Sequence, residues 1–107
     1  MTIKQAEDLI SEVAHLAVRA SRATRIFGTA ESHEEAAEAH DGAAKWIQFV
    51  IQIKDSPIVD FAERRSAWQS VLSHRQCAEA HRQFADVAFQ HHRDAFNVQY
   101  SDVSAHH

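Results

Sequence analysis

The run Trp46-Ile47-Gln48-Phe49-Val50-Ile51-Gln52-Ile53 is apolar around almost the whole circumference of the helix that its flanks indicate. A surface helix of a small protein needs one apolar stripe, so a helix that is hydrophobic nearly all round must be covered on several sides, by its own fold or by a partner. The same composition would suit a strand. Every other long apolar pattern in the chain repeats at intervals of three and four, however, and the expectation is an all-α protein.

The length of 107 residues fits one domain, residues 1–107. A chain this short hides only roughly two-thirds of the surface its unfolded form exposes. Alanine accounts for 19 residues, and Leu, Ile, Val and Phe together for only 24, so large apolar side chains have to be concentrated on helical stripes while alanine lets helices approach closely. A net charge of −4 does not indicate disorder, and 15 acidic against 11 basic residues leave no electrostatic footprint for nucleic acid. Arg19, Arg22 and Arg25 do cluster, opposite the apolar stripe of the first helix and near its end, where cations complement the helix dipole. The single Cys77 excludes an intramolecular disulfide. With no signal peptide and no apolar run of membrane-spanning length, no membrane partner is expected and the cytoplasm is the expected compartment.

Capping signals divide the chain. Thr2 and Gln5 have capping-box spacing, and Ile3, Ala6, Ile10, Val13, Ala17, Ala20, Thr24 and Phe27 form a stripe widened by Leu9, Leu16 and Ala23, which predicts a helix over about 3–27 ended by Gly28. Ser32 and Glu35 repeat the spacing before a second helix, about 33–54, with Ala36, Ala37, His40, Ala43, Ala44, Ile47, Val50 and Ile51 inward. Asp55-Ser56-Pro57 reads as a stop and restart, giving a third helix over about 57–72. Its inward side would carry Ile58, Phe61, Ala62, Trp68 and Leu72, with Arg65 among them reaching out to water. The stripes before position 72 and after 76 point a third of a turn apart, and Ser73 with Gln76 again has capping-box spacing. A break near Ser73-His74 is therefore expected, with a fourth helix over about 74–100 and a frayed tail over 101–107. The fold class is a compact bundle of three or four helices, completed by dimerisation.

Nine histidines invite a search for chemistry. His74, Cys77 and His81 lie at intervals of three and four, which puts two imidazoles and a thiol on one helical surface where nitrogen and sulfur ligands could hold zinc or copper. Half-buried packing of a small thiol between interfacial histidines explains the same residues. No third orienting group or oxyanion loop supports a nucleophilic Cys77. His40 falls on the alanine-rich inner face as a core or interface histidine. Glu12 and His15 have the spacing of carboxylate-bridged metal bundles but point away from the stripe, whereas such ligands project inward. Glu34, Glu35 and Glu38 match the arrangement with which all-helical nucleotide pyrophosphatases bind magnesium. The required second pair on the following helix is present only in reversed order, as Asp60 and Glu63, and acidic residues in a first turn already answer the helix dipole.

No phosphate-binding glycine loop, serine elbow or paired-cysteine zinc framework is present. The reading that survives is a non-enzymatic helical homodimer without cofactor that sequesters or inhibits a protein partner, in the manner of small antiactivators, anti-repressors or immunity proteins. Its interface residues are expected among the large apolar side chains left over once Ile47, Val50, Ile51 and Phe84, Val87, Ala88 form the core: Trp46, Phe49 and Ile53 on the second helix, and Phe89, Phe96 and Tyr100 on the last. If Cys77 is only packing, Cys77→Ser should cost about 1 kcal/mol or less in urea unfolding. Complete loss of activity with an unchanged fold would instead point to the thiol or to metal binding.

Overall fold

The computed structural model describes the backbone of residues 1–105 and the side chains of residues 1–94. It contains three helices, α1 (Ile3–Phe27), α2 (Ala30–Gln52) and α3 (Phe61–Ala105), and no strand among the described residues.

The start of α1 is the capping box read from the sequence. Thr2 Oγ1 accepts from the Gln5 backbone N–H at 3.1 Å, and Gln5 Oε1 accepts from the Thr2 N–H at 2.8 Å. The helix ends on Gly28, whose left-handed φ of 57° lets its N–H close onto the Thr24 carbonyl at 2.8 Å. Thr29 then caps α2 at once. Its hydroxyl accepts from the Ser32 N–H at 3.1 Å and the Ser32 hydroxyl answers the Thr29 N–H at 3.1 Å. Ser32 is thus the inner partner of a box one turn earlier than the expected Ser32–Glu35 pair, and α2 begins at Ala30 rather than His33.

Beyond Gln52 the chain turns through Asp55, a non-glycine residue at φ 60°, and the exposed carbonyls at the end of α2 find side-chain donors. Ser56 Oγ donates to the Val50 carbonyl at 2.6 Å, and Arg64 Nη1 reaches the carbonyls of Ile51 at 3.3 Å and Ile58 at 2.8 Å. Pro57 lies inside this connection and does not open a helix. The cap of α3 is Asp60, whose carboxylate accepts from the Glu63 N–H at 3.1 Å, so the helix starts at Phe61.

The expected break at Ser73-His74 is absent, and the third and fourth helices of the sequence reading are one helix of 45 residues. No glycine or proline interrupts it, and the inward face passes through the segment without a phase change. Ala67, Val71, Ala78 and Ala85 are buried along it, with His74 and His81 half-buried in the same three-four repeat. The expected face was rotated by about one residue: Phe61, Ala62, Arg65 and Leu72 are exposed, and Arg64 turns inward in place of Arg65. Phe84 and Val87, expected in the core, stand 58% and 54% exposed, while Ala85 is buried in their place. The offset between stripes lay among solvent-facing residues, which carried the large apolar groups.

The core consists of Ile47, Val50 and Ile51 of α2 with Ala6, Ala44, Ile58, Ala67 and Val71, against which Leu9, Ile10, Val13 and Trp68 pack. α2 is the central element. Both α1 and α3 pack on it, and among the described residues no Cα of α1 comes within 8 Å of a Cα of α3, so a groove separates them. The molecule measures 71 × 19 × 19 Å, and its long axis matches the roughly 68 Å expected for α3 at 1.5 Å per residue. The turn joining α1 and α2 shares a hollow with Ala88, Phe89 and His92, and α3 continues past that level to Ala105, five residues beyond the end drawn from the sequence. The third capping box, expected at Ser73, provides a direct check. In the interior of an exposed helix, Ser73→Ala should leave stability unchanged or raise it by a few tenths of a kcal/mol, whereas removing an N-cap would cost about 1 kcal/mol. Urea unfolding distinguishes the two.

Candidate functional site

Four histidines and one serine meet where α1, α2 and α3 come together. His33 and His40 are seven residues apart on α2, and His74 and His81 are seven apart on α3, so each pair occupies one face of its helix two turns apart. The helices run antiparallel, which sets His40 opposite His74 and His33 opposite His81. His40 Nδ1 lies 2.8 Å from His74 Nδ1, and His33 Nδ1 lies 3.0 Å from His81 Nδ1. Ser21 of α1 joins the two pairs: its Oγ is 2.7 Å from His40 Nε2 and 2.9 Å from His81 Nε2. The rings stand in a row, with centroids 5.0 Å apart for His40 and His74, 5.8 Å for His40 and His81, and 5.2 Å for His33 and His81. Phe84 closes one end by stacking on His33 at 5.4 Å.

The result is a continuous chain, His74, His40, Ser21, His81, His33, with four bridges. Neutral imidazole has one N–H and one acceptor nitrogen, and a hydroxyl donates once and accepts. Four neutral rings and one hydroxyl can therefore satisfy all four bridges, each with a single proton. No buried side-chain nitrogen or oxygen among the described residues lacks a partner. Charging changes this balance. Two directly bridged imidazoles cannot both be cationic without pointing N–H at N–H.

Burial opposes charge here as well. The His40 imidazole, only 4% exposed, is held below its ordinary pKa first by burial and then by the neighbouring His74 and His81, with Asp41 partly offsetting them. His74 is lowered by burial, and His81 by burial and by His33. Asp41 is itself paired with Arg82 across the α2–α3 contact, and Arg75 donates to Gln48 along the same flank.

The sequence reading placed His40 correctly on an inner face, but it grouped His74 and His81 with Cys77 and passed over His33 and Ser21. The structure turns the trio differently. His74 faces His40, while Cys77 and His81 line an open groove between α1 and α3 with Val18, Ser21, Arg22, Thr24, Arg25 and His40. Among the described residues no three His, Cys, Asp or Glu side chains are arranged to hold a metal ion, in keeping with bridges that run end to end rather than towards one centre. The signal that could have exposed the chain is the matched seven-residue spacing of histidines on two antiparallel helices.

The acidic set is likewise divided. Glu34 and Glu38 line a hollow with Arg82 and Asp86, whereas Glu35 lines another with Glu31. Of the expected interface residues, Trp46 and Phe49 are half-exposed and meet edge to face at 5.8 Å, and Ile53 is half-buried at the end of α2. Phe89 is 58% exposed beside the α1–α2 turn. The side chains of Phe96 and Tyr100 lie outside the described residues. No helix among the described residues is long and apolar enough to cross a membrane. No family model, curated protein or solved structure matches this chain.

The lowered imidazole pKa values fix the sign of a pH effect. The unfolded chain binds more protons than the folded one near the ordinary histidine value of about 6.5, so this contribution to stability is complete above that value and is lost as pH falls through it towards the folded values. Urea unfolding should give a midpoint that declines between pH ~7.5 and pH ~5.5, and a His40→Leu/His74→Leu pair should flatten the decline. An unchanged slope in that variant would remove these rings as its cause.

Proposed function

We propose that this chain is a non-enzymatic helical regulator that binds and sequesters or inhibits a protein partner through apolar helix faces, and that it pairs with a second copy of itself. One observation carries the reading: the fold hides its alanines and shows its aromatics. Phe27, Phe49, Phe61, Phe84 and Phe89, all the phenylalanines with described side chains, are at least half-exposed, as is Trp46. The largest fully buried side chains are only Ile47, Ile51, Val50 and Val71. Isolated exposed apolar residues are ordinary on any protein surface, but aromatics lose the most from standing in water and gain the most from a desolvated pocket.

Two sets stand apart on the molecule. Trp46 and Phe49 are half-exposed on α2, with Ile53 at its end, and Phe84, Val87 and Phe89 are half-exposed on α3, Phe84 on the flank where it stacks on His33. The proposal assigns one set to self-association and the other to the target. Because both Phe49 and Phe89 are half-exposed, Phe49→Glu and Phe89→Glu should each keep the helical circular dichroism of the wild type. Sedimentation equilibrium should then show a wild-type dimer that one variant converts to monomer, with the other retaining the dimer and losing a target that the wild type binds. A truncated hot-spot aromatic typically costs about 2 kcal/mol or more of binding. A wild-type monomer whose variants both unfold would place these side chains in the core and end the proposal.

A further inference from the structure

The groove between α1 and α3 differs in charge from the rest of the surface. It encloses about 520 Å³ and is lined by Val18, Ser21, Arg22, Thr24, Arg25, His40, Cys77 and His81. No carboxylate is among them. Four other surface hollows are each lined by at least one glutamate, as a chain of net charge −4 leads one to expect. Arg22 and Arg25, like Arg19 and Arg65 outside the groove, have no ion-pair or hydrogen-bond partner among the described residues, whereas Arg64, Arg75, Arg82 and Arg93 are engaged. Both groove guanidiniums sit near the end of α1, where the helix dipole contributes roughly half a negative charge. Two full positive charges outweigh it.

We propose that this groove binds a phosphate-type oxyanion, held by Arg22 and Arg25 and coupled to the histidine chain through Ser21. Planar guanidinium forks pair two N–H groups with two oxygens of such a group, and the Ser21 hydroxyl lies in the same wall beside Thr24, whose own hydroxyl donates to the Ser21 carbonyl at 2.6 Å. The coupling follows from the proton arrangements open to the chain. When the chain is polarised end to end, the Ser21 hydroxyl accepts from one imidazole and donates to the other, so its proton is committed. When His40 and His81 both donate to Ser21 Oγ, with His74 and His33 donating to them from Nδ1, all four rings stay neutral, every bridge keeps one proton, and the hydroxyl proton is free to turn into the groove. An oxyanion there accepts it, selects this arrangement, and is further attracted by imidazolium charge as pH falls.

The charged and titratable groups around His40 and His81 are Arg22 and Arg25 on α1, His33 and Asp41 on α2, and His74, Cys77 and Arg82 on α3. Only Asp41 favours protonation, and it is already paired. A bound oxyanion supplies the missing negative charge, so anion binding and proton uptake strengthen each other by reciprocal linkage.

Sulfate is a suitable probe because it is tetrahedral and keeps its charge across the relevant range. Titration of the full chain with sodium sulfate, read by the imidazole carbon–proton resonances of His40 and His81, should give a saturable shift. Its dissociation constant should fall about fivefold or more between pH ~7.5 and pH ~6. Arg22→Gln/Arg25→Gln should weaken binding by about tenfold or more with unchanged helicity, as expected for the loss of charge-assisted bonds from exposed side chains. Ser21→Ala should weaken binding at pH ~7.5 and pH ~6 alike, because the hydroxyl proton can reach the anion from the neutral chain, while the tightening at lower pH, which comes from imidazolium charge, remains. The proposal is overturned by the absence of a saturable shift, by an equal shift with sodium chloride at matched ionic strength, by wild-type affinity in the double arginine variant, or by an affinity indifferent to pH.

Discussion

Alanine at the contact between α2 and α3 is the constraint from which the other features follow. Ala36, Ala37, Ala43 and Ala44 are buried on α2, which packs against both neighbours, and Ala67, Ala78 and Ala85 are buried on α3, and side chains this small let helices lie close along many turns. A close contact leaves no room for a phenyl ring, so the large apolar residues of α3 stand on its flanks and outer face. Imidazoles at seven-residue intervals fit between the alanine layers because each meets a ring of the facing helix edge to edge. The exposure of the aromatics and the existence of the histidine chain thus have one cause.

A polar chain in such a position costs more than an apolar layer unless every member is satisfied. Here it is satisfied, and in a way that restricts the packing. A slip of one turn between α2 and α3 would separate both Nδ1 pairs at once and leave buried nitrogens without partners, a penalty of about 1–3 kcal/mol for each. Apolar layers of alanine alone discriminate weakly between registers. The histidines therefore supply the specificity of alignment, while Ile47, Val50, Ile51 and Val71 supply most of the burial.

What could be read from the sequence was whatever local chemistry decides. The capping box of α1 and its glycine stop are interactions within a few residues, and both are present as read. At the start of α2 two overlapping boxes competed, and the one with Thr29 as cap prevails because the glycine before it already ends α1. The face of α3 was misread because hydrophobic periodicity weights large residues. Phe61, Leu72, Phe84 and Val87 marked a stripe, but the helix turns Ala67, Val71, His74, Ala78, His81 and Ala85 towards its neighbour. That choice is tertiary: it depends on what α2 presents, and α2 presents alanines and histidines. Ser21, with nothing in its own neighbourhood to mark it, takes part only because the fold brings His40 and His81 to it from 19 and 60 residues away.

The five-membered chain has one more property, arising from its symmetry. Its protons can be arranged in three ways that satisfy every bridge: all pointing from His74 towards His33, all pointing back, or both halves pointing inward at Ser21. In the first, His74 and His81 carry hydrogen on Nδ1 while His40 and His33 carry it on Nε2. In the second, every tautomer is inverted. No ring can change alone without leaving a bridge empty or doubly filled, so each directly bridged pair, His74 with His40 and His81 with His33, reverses as a unit, and the two units are tied only through the single proton of Ser21. The interior of this bundle is thus a pair of short dipoles meeting at a serine, which forbids only the arrangement in which both point away from it, so a charge that turns one pair outward holds the other pair inward.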